Sequence, residues 1–485
     1  MAKKPRSQRR KKQKDGDPAA DNNINASDNP RLETLSDSHT VDDSVGMSVM
    51  LLDDFDFDAE NNNDAMTDID FKDTGNHAAE EAMAARYQRL QDTLSTLEEI
   101  PTMKQSARRE ASLRKLFRAF SQYATGPAGQ MAVASRQDEI RTACNVRSGT
   151  TPAEQYAACR VLAVTSVVLG ADQDEYYEAI ERPLRRVVMA NRATPVRVAA
   201  LRALAMANLI CSSDTETAES LLDLCEALAA TEYRGLTVPG TLRAAALDCW
   251  SLLGTTISDY HLSGKDDVMI GRGLAILDLL KDSLEDQACP ELRSAAGECL
   301  SLIHEARLNL GTDIGENTTE RRYRQGSWEG SEFEVTMDEV KQRIAELSTE
   351  SGYHMSKKAK KEQRATFREF MSTIVDDDAP EEIVSFRGGT ITLHTWREII
   401  QLNFIRHCLQ GGFQIQLLTN ETLQEIFGAD GQLLNAMTNL TTLEKRLVMS
   451  KTSEASKAAD QELTRQRKVR NNVKNYFLTA DGDDL

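Results

Sequence analysis

Between about residues 80 and 310, Leu and Ala recur at spacings of three and four, and clusters of Gly, Pro, Ser, Thr and Asp punctuate them every 12 to 20 residues. That pattern predicts helix after helix. One element returns within it, at Arg109-Glu-Ala-Ser-Leu, Gln155-Tyr-Ala-Ala-Cys, Arg197-Val-Ala-Ala-Leu, Arg243-Ala-Ala-Ala-Leu and Arg293-Ser-Ala-Ala-Gly, at intervals of 46, 42, 46 and 50 residues. Periods in the forties with paired small residues belong to armadillo and HEAT arrays, where alanines let neighbouring repeats stack closely. The predicted fold is therefore all-α, an armadillo/HEAT-like helical solenoid over residues 81–345. Ala158, Ala200, Ala246 and Ala296 should be buried at equivalent places. Pro195 suits a first helical turn, and Val198, Leu201, Ala205 and Leu209 form one buried stripe behind it. The recurring arginines are expected to pair with carboxylates of adjacent repeats or to sit in solvent, rather than to line a binding face.

The pattern changes after a Gly-, Thr- and Glu-rich hinge at Gly311 to Glu334. A small, mostly helical domain is predicted over residues 346–432. It opens with the cations Lys357, Lys358, Lys360, Lys361, Arg364 and Arg368, then alternates over residues 383–386 and 390–393 as a short β-hairpin turned by Gly388 and Gly389. Thr395 and Glu398 form a capping box for a helix whose single apolar face is Trp396, Ile399, Ile400, Phe404 and Cys408, stopped by Gly411 and Gly412. A second short helix is predicted from Asn420 to Phe427. Residues 433–485 are predicted to form one long helix and an acidic tip. The helix runs from a capping box at Thr441 and Glu444 to Phe477, roughly 55 Å at ~1.5 Å per residue. Its middle, Ser450 to Glu462, is polar all round, and its far end gathers Arg465, Arg467, Lys468, Arg470 and Lys474.

Charge separates at the other end of the chain. Residues 3–14 carry eight Lys and Arg and no acid, whereas residues 15–80 carry eighteen Asp and Glu against Arg31 and Lys72 alone. A tail of this composition, residues 1–80, is expected to be disordered. Met50-Leu-Leu-Asp-Asp-Phe-Asp-Phe-Asp58 within it sets bulky apolar residues among carboxylates, the make-up of a docking motif; as a calcium loop it fails at Ala59 and Ala65. The cations of residues 3–14 read either as an import signal or as an RNA-contacting arm. No apolar stretch follows them, as a secretory signal would need, and no apolar run is expected to span a membrane.

The whole chain of 485 residues balances 58 Lys and Arg against 76 Asp and Glu, a net charge of −18, so any nucleic-acid contact must be local. Eight cysteines never occur as CxxC and are expected to be small packing residues in a reducing compartment. Catalytic and cofactor motifs fail on spacing. Gly264-Lys265 lacks both the upstream glycine and the Ser or Thr of a phosphate-binding loop, HExxH, GxSxG and GxGxxG are missing, and the seven histidines have no metal-ligand spacing. The chain is expected to be no enzyme and to hold no cofactor, metal or small-molecule substrate. An acidic protein that concentrates cations on a core-less helix has instead a localised phosphate-binding element, suited by its few aromatics to backbone contact with structured RNA.

In the residues Lys357-Lys-Ala-Lys-Lys-Glu-Gln-Arg-Ala-Thr-Phe-Arg368, Thr395-Trp396, Gln401-Leu-Asn-Phe404, Gly411-Gly-Phe-Gln414, Asn420-Glu421 and Ile426-Phe427, the chain resembles the interferon-related developmental regulator family. The resemblance implies an armadillo-like array joined to a family C-terminal domain and a non-enzymatic regulator. One branch of the family is associated with ribosome binding and translational silencing, another with nuclear transcriptional co-regulation. Lys357, Lys358, Lys360, Lys361, Arg364, Arg368, Arg465, Arg467, Lys468, Arg470 and Lys474 are the expected RNA or ribosome contacts, in a cytoplasmic protein. A nuclear scaffold that binds co-regulator proteins through the array is the alternative.

Overall fold

The computed structural model describes residues 76–427, apart from 146–149, 191, 213, 265–270, 313–327, 329–330, 350–356 and 387–388. Most of the acidic and basic tail, including Met50 to Asp58, most of the Gly311–Glu334 hinge and the long helix expected after Gly431 lie outside the described residues.

Eighteen α-helices are described. In chain order they are α1 Asn76–Leu94, α2 Ser106–Gln122, α3 Gly126–Ala134, α4 Gln137–Ala143, α5 Pro152–Leu169, α6 Asp174–Met189, α7 Thr194–Cys211, α8 Thr215–Ala229 and α9 Gly240–Gly254. The remainder are α10 Asp259–Ser263, α11 Arg272–Ala275, α12 Leu277–Leu284, α13 Pro290–Thr312, α14 Glu334–Thr349, α15 Lys357–Ile374, α16 Trp396–Leu409, α17 Phe413–Thr419 and α18 Glu421–Ile426. Two antiparallel ribbons interrupt them, β1 Glu232–Tyr233 with β2 Leu236–Thr237, and β3 Glu382–Phe386 with β4 Gly389–Leu393. The second is the predicted hairpin. The first was not predicted: its two-residue turn, Arg234 at φ 52° and Gly235 at φ 75°, is the doubly left-handed kind that twists with its strands.

Helices α2, α5, α7, α9, α13 and α15 stack side by side as an inner layer, and α6, α8, α12 and α14 lie behind it, each against the inner helix that follows in the chain. This is the predicted helical solenoid. Each recurring Arg/Ala element falls on an inner helix, and Ala158, Ala200, Ala246 and Ala296 are all buried. Small residues there let adjacent inner helices approach closely. The stacking continues past residue 345, because α14 and α15 add another helix pair and Arg293 Nη2 donates to buried Gln363 at 3.0 Å. Where α13 meets α15, a Cβ on Gly297 would stand 2.4 Å from the Phe370 ring, so glycine opens the notch that seats this aromatic.

The recurring arginines have a job that neither expected alternative describes fully. Arg197 Nε donates to Val188 O at 2.8 Å, Arg243 Nε to Ala229 O at 2.9 Å, and Arg293 Nη1 to Asp286 O at 2.7 Å. Each closes off a carbonyl at or just beyond the C-terminal end of the outer helix before it, where helices leave acceptors without donors and a partial negative charge. Carboxylate pairing is added in Arg243 with Asp286, 3.2 Å, and is the main contact only of Arg109, whose Nε lies 2.8 Å from Glu154. Glu154 also completes the capping box of α5 with Thr151, fixing where that helix starts relative to α2.

By length and composition α7 could cross a bilayer, contrary to the expectation that no segment would, but 72% of that window is buried among its neighbours in the inner layer. All eight cysteines are unpaired and buried. Burial lifts the thiols of Cys159, Cys211 and Cys408 to about 12, so they stay protonated and serve as packing groups.

Candidate nucleic-acid interface

α15 is anchored by one face, and Lys361 and Arg368 stand on the other. Gln363, Thr366, Phe367, Phe370, Thr373 and Ile374 are buried, whereas Lys361 and Arg368 are exposed and Arg364 is half-buried between them. Positions 361, 364 and 368 follow the three-four spacing that keeps side chains on one side of a helix. Lys358 and Lys360 share the opening turns of the same helix. Arg465, Arg467, Lys468, Arg470 and Lys474 lie outside the described residues.

Charge divides between the two layers. The six inner helices hold seventeen Lys and Arg against eight Asp and Glu. The four outer helices hold six against fourteen. Nearly all of the inner excess sits on the two end helices, α15 with six cations and two acids and α2 with five and one. Formal charge is thus positive at the ends of the inner layer and negative at the back.

Residues 396–427, here called the strap, lie across the inner layer. α16 packs on α13, α9, α7 and α5 in turn, and the turn at Gln410–Gly412 together with α17 packs on α2. Its entry is fixed from the array, since Glu305 on α13 accepts the backbone N–H groups of Trp396 at 2.7 Å and Arg397 at 3.4 Å. Trp396 Nε1 donates to Thr373 Oγ1 at 2.9 Å, and its ring lies 5.5 Å from that of Phe370. Polar side chains of the strap then serve carbonyls at the ends of inner helices. Arg397 Nη1 donates to Thr255 O and Ile257 O after α9, at 2.5 and 2.9 Å, and pairs with Asp259. Gln416 Nε2 is shared by Phe120 O, Ser121 O and Ala124 O at the end of α2, and Asn420 Nδ2 donates to Val167 O in the last turn of α5. Gly412 allows the approach, as a Cβ there would stand 2.4 Å from Ser121 O.

Beneath α16 runs a buried polar line. Arg202 on α7 sits 3.1 Å from His407 of the strap and 3.2 Å from Asp248 on α9. Burial raises Asp248 to about 6 against the pull of Arg202, and raises Glu298 on α13 well above the usual carboxylate range, with Asp248 adding to the effect. His304 accepts from Trp328 Nε1 at 3.0 Å on Nδ1 and lies 2.8 Å from Asp377 through Nε2, which defines the neutral tautomer with the proton on Nε2. It is a structural histidine. Among the described residues no group of three or more His, Cys, Asp or Glu could hold a metal ion.

The capping box at Thr395, the helix stop at Gly411 and Gly412, and the short helix capped by Asn420 stand where predicted. The single apolar face expected of α16 does not. Leu402, Asn403, Ile405 and Leu409 are buried as well, and Arg406 reaches β3 at Glu382, 3.1 Å away. Leu402, Ile405 and Leu409 off the predicted face were the signal that this helix is buried on more than one side. Arg397, Gln416 and Asn420, whose partners are about 140 to 300 residues away in the chain, carried no local mark of their role.

Two stacked helical layers with a basic inner side define a helical-repeat protein of the armadillo and HEAT kind. The sequence from residue 59 to 375 matches the interferon-related developmental regulator family, and the chain belongs to it. The match ends one residue past α15, so it includes the cations of Lys357 to Arg368 and leaves the strap outside. Interferon-related developmental regulator 1 of Mus musculus is 24% identical over 285 residues, which is 56% of this chain and 58% of that protein. The Homo sapiens protein of the same name is 23% identical over 285 residues, 56% and 57% of the two chains. The chain thus spans under three fifths of the length of these relatives.

Proposed function

We propose that this regulator is not an enzyme but binds structured RNA of the ribosome, through the basic stripe of α15 and the basic segment Arg465 to Lys474, and thereby represses translation in the cytoplasm. The observation that carries this is the stripe of exposed Lys361 and Arg368 with half-buried Arg364 between them, backed by a buried face and set at one end of an inner layer whose charge is opposite to that of the outer helices. Contact with phosphates needs cations on a rigid support, and a helix fixed by Phe367, Phe370 and Ile374 supplies one. A polar basic helix such as the one expected from Thr441 to Phe477 loses little on moving from water into a wet cavity walled by phosphate.

Co-sedimentation with ribosomes on sucrose gradients at low and high salt tests this. Replacing Arg465, Arg467, Lys468, Arg470 and Lys474 with Ser, or ending the chain at Met449, should reduce association roughly 10-fold or more at physiological salt. Lys361→Ser with Arg368→Ser should weaken it further without lowering the melting temperature, because both side chains face solvent. The nuclear scaffold reading would need surfaces other than the inner layer under the strap. It wins if co-sedimentation survives every one of these changes while substitutions on the array abolish binding to a nuclear co-regulator.

A further inference from the structure

A second basic stripe stands at the opposite end of the inner layer. On α2, Arg108 and Lys115 are exposed and Arg118 is half-buried, on the side of the helix away from buried Leu113, Leu116, Phe117 and Phe120. Exposed Lys104 precedes the helix. The other two cations of α2 are engaged, Arg109 with Glu154 at 2.8 Å and Arg114 with Glu110 at 2.6 Å. No hydrogen bond or ion pair from the side chains of Lys104, Arg108, Lys115 or Arg118 is formed among the described residues, in a protein of net charge −18. Helices α1 and α3 add exposed apolar side chains. Tyr87 on α1 is 41% exposed and Met131 on α3 is 72% exposed, and α1 packs against both α2 and α3.

We propose that the acidic segment of residues 42–75, with Met50 to Asp58 at its centre, docks in cis on this stripe of α2. The segment has eleven Asp and Glu against Lys72 alone, and it sets Leu51, Leu52, Phe55 and Phe57 among Asp53, Asp54, Asp56 and Asp58. Its carboxylates match the cations of α2, and its apolar side chains match exposed Tyr87 on α1 and Met131 on α3. The tether favours this end of the layer. The segment leads directly into α1, and the 22 residues between Asp54 and Asn76 span roughly 26 Å as a chain of ~5–6 Å × √n. That is close to the length of α1, roughly 28 Å for its 19 residues. Tethering converts weak charge pairing into an intramolecular event at ~mM effective concentration. The stripe of α15 is five inner helices away and has no such tether. Docking in cis keeps the α2 cations from acting as a general phosphate-binding surface. The assignment rests on α2 and its tether, and not on the role proposed for α15.

Carbodiimide coupling of carboxylates to lysine amines in the full chain, mapped by mass spectrometry, tests it. The expected result at low salt is amide links from the peptide containing Asp53 to Asp58 to Lys104 or Lys115, falling roughly five-fold or more at about 0.5 M NaCl as the charges are screened. Arg108→Ser with Arg118→Ser, which leaves both lysines in place, should lower those links by a similar factor. A mixture of isotopically light and heavy chains should give only light–light and heavy–heavy pairs. Absent links, links that persist unchanged in the double variant, or mixed pairs would each overturn the proposal. Protection of α2 amides from hydrogen exchange by a short RNA duplex, with no link from residues 42–75, would also overturn it and assign the stripe to nucleic acid.

Discussion

Glu305 accepts the first amide of α16, that of Trp396, at 2.7 Å, so a helix of the inner layer caps the helix that covers it. Burial pushes Glu305 up to about 7, more than the two amides and the charge of Arg397 pull it down. Its folded value lies above an unfolded value of about 4.3, so the folded chain holds the extra proton. The resulting stability is complete below about pH 4.3 and is lost as pH rises through about 7. Asp248, at about 6, contributes in the same sense at lower pH. Between about pH 5.5 and 8 the melting temperature of the natural chain should fall, and that of Glu305→Gln should fall less. Equal slopes in the two chains would contradict the assignment.

Gln416 holds three carbonyls at the end of α2 through one buried amide. Gln416→Ala should cost ~1–3 kcal/mol, because those acceptors stay buried after their donor is gone. Hydrogen exchange should accelerate over residues 410–427 before it does so in α5 or α7. Uniform loss of protection across the array would mean that the contact is not local to this end of the strap.

Arg243 reaches both Ala229 O and Asp286, which requires the fork of a guanidinium. Replacement by Ala is expected to cost ~1.5–3 kcal/mol, the range for hydrogen bonds to a charged group. Arg243→Lys should recover less than half of that, since one ammonium cannot serve both directions. Full recovery in a denaturant titration would reduce the role of Arg243 to its charge.

Ala246 lies fully buried in α9, between α7 and α13. Ala246→Glu would place an unpaired carboxylate at a close helix contact and should cost ~3–5 kcal/mol. An unchanged melting curve would show that the repeat register is wrong. The exposed Lys115→Glu change on α2 provides the contrast and should leave the melting temperature almost unaltered.

The array could be read from sequence because its rules are local. Arg197, Arg243 and Arg293, with the alanine pairs after each, mark the starts of inner helices at intervals of 46 and 50 residues, and capping signals such as Thr395 with Glu398 act within one turn. The cations of α15 were legible only as a run, because which of them face solvent depends on what the helix packs against. The strap was not legible. Arg397 finds Thr255 and Gln416 finds Phe120 only after the intervening helices have stacked, so no window of sequence contains both partners. The engagement of Arg202 with His407 and Asp248 was hidden likewise, and so was the capping role of the recurring arginines, whose acceptors are backbone atoms that any residue could supply.

A stack of helical repeats in which each touches only its neighbours behaves as a one-dimensional chain and can fray from either end. The strap changes the connectivity of that chain. By joining α13, α9, α7, α5 and α2 through one continuous segment, it makes opening of an end repeat cost contacts with the middle ones, so unfolding should proceed in a single sharp transition. It also imposes an order on folding. Loops of nearly 300 residues close last, and the closing segment is synthesised after every helix it covers. Until residues 396–427 emerge, the inner helices expose both their apolar side and their unserved carbonyls, and the nascent array is then most open to chaperones.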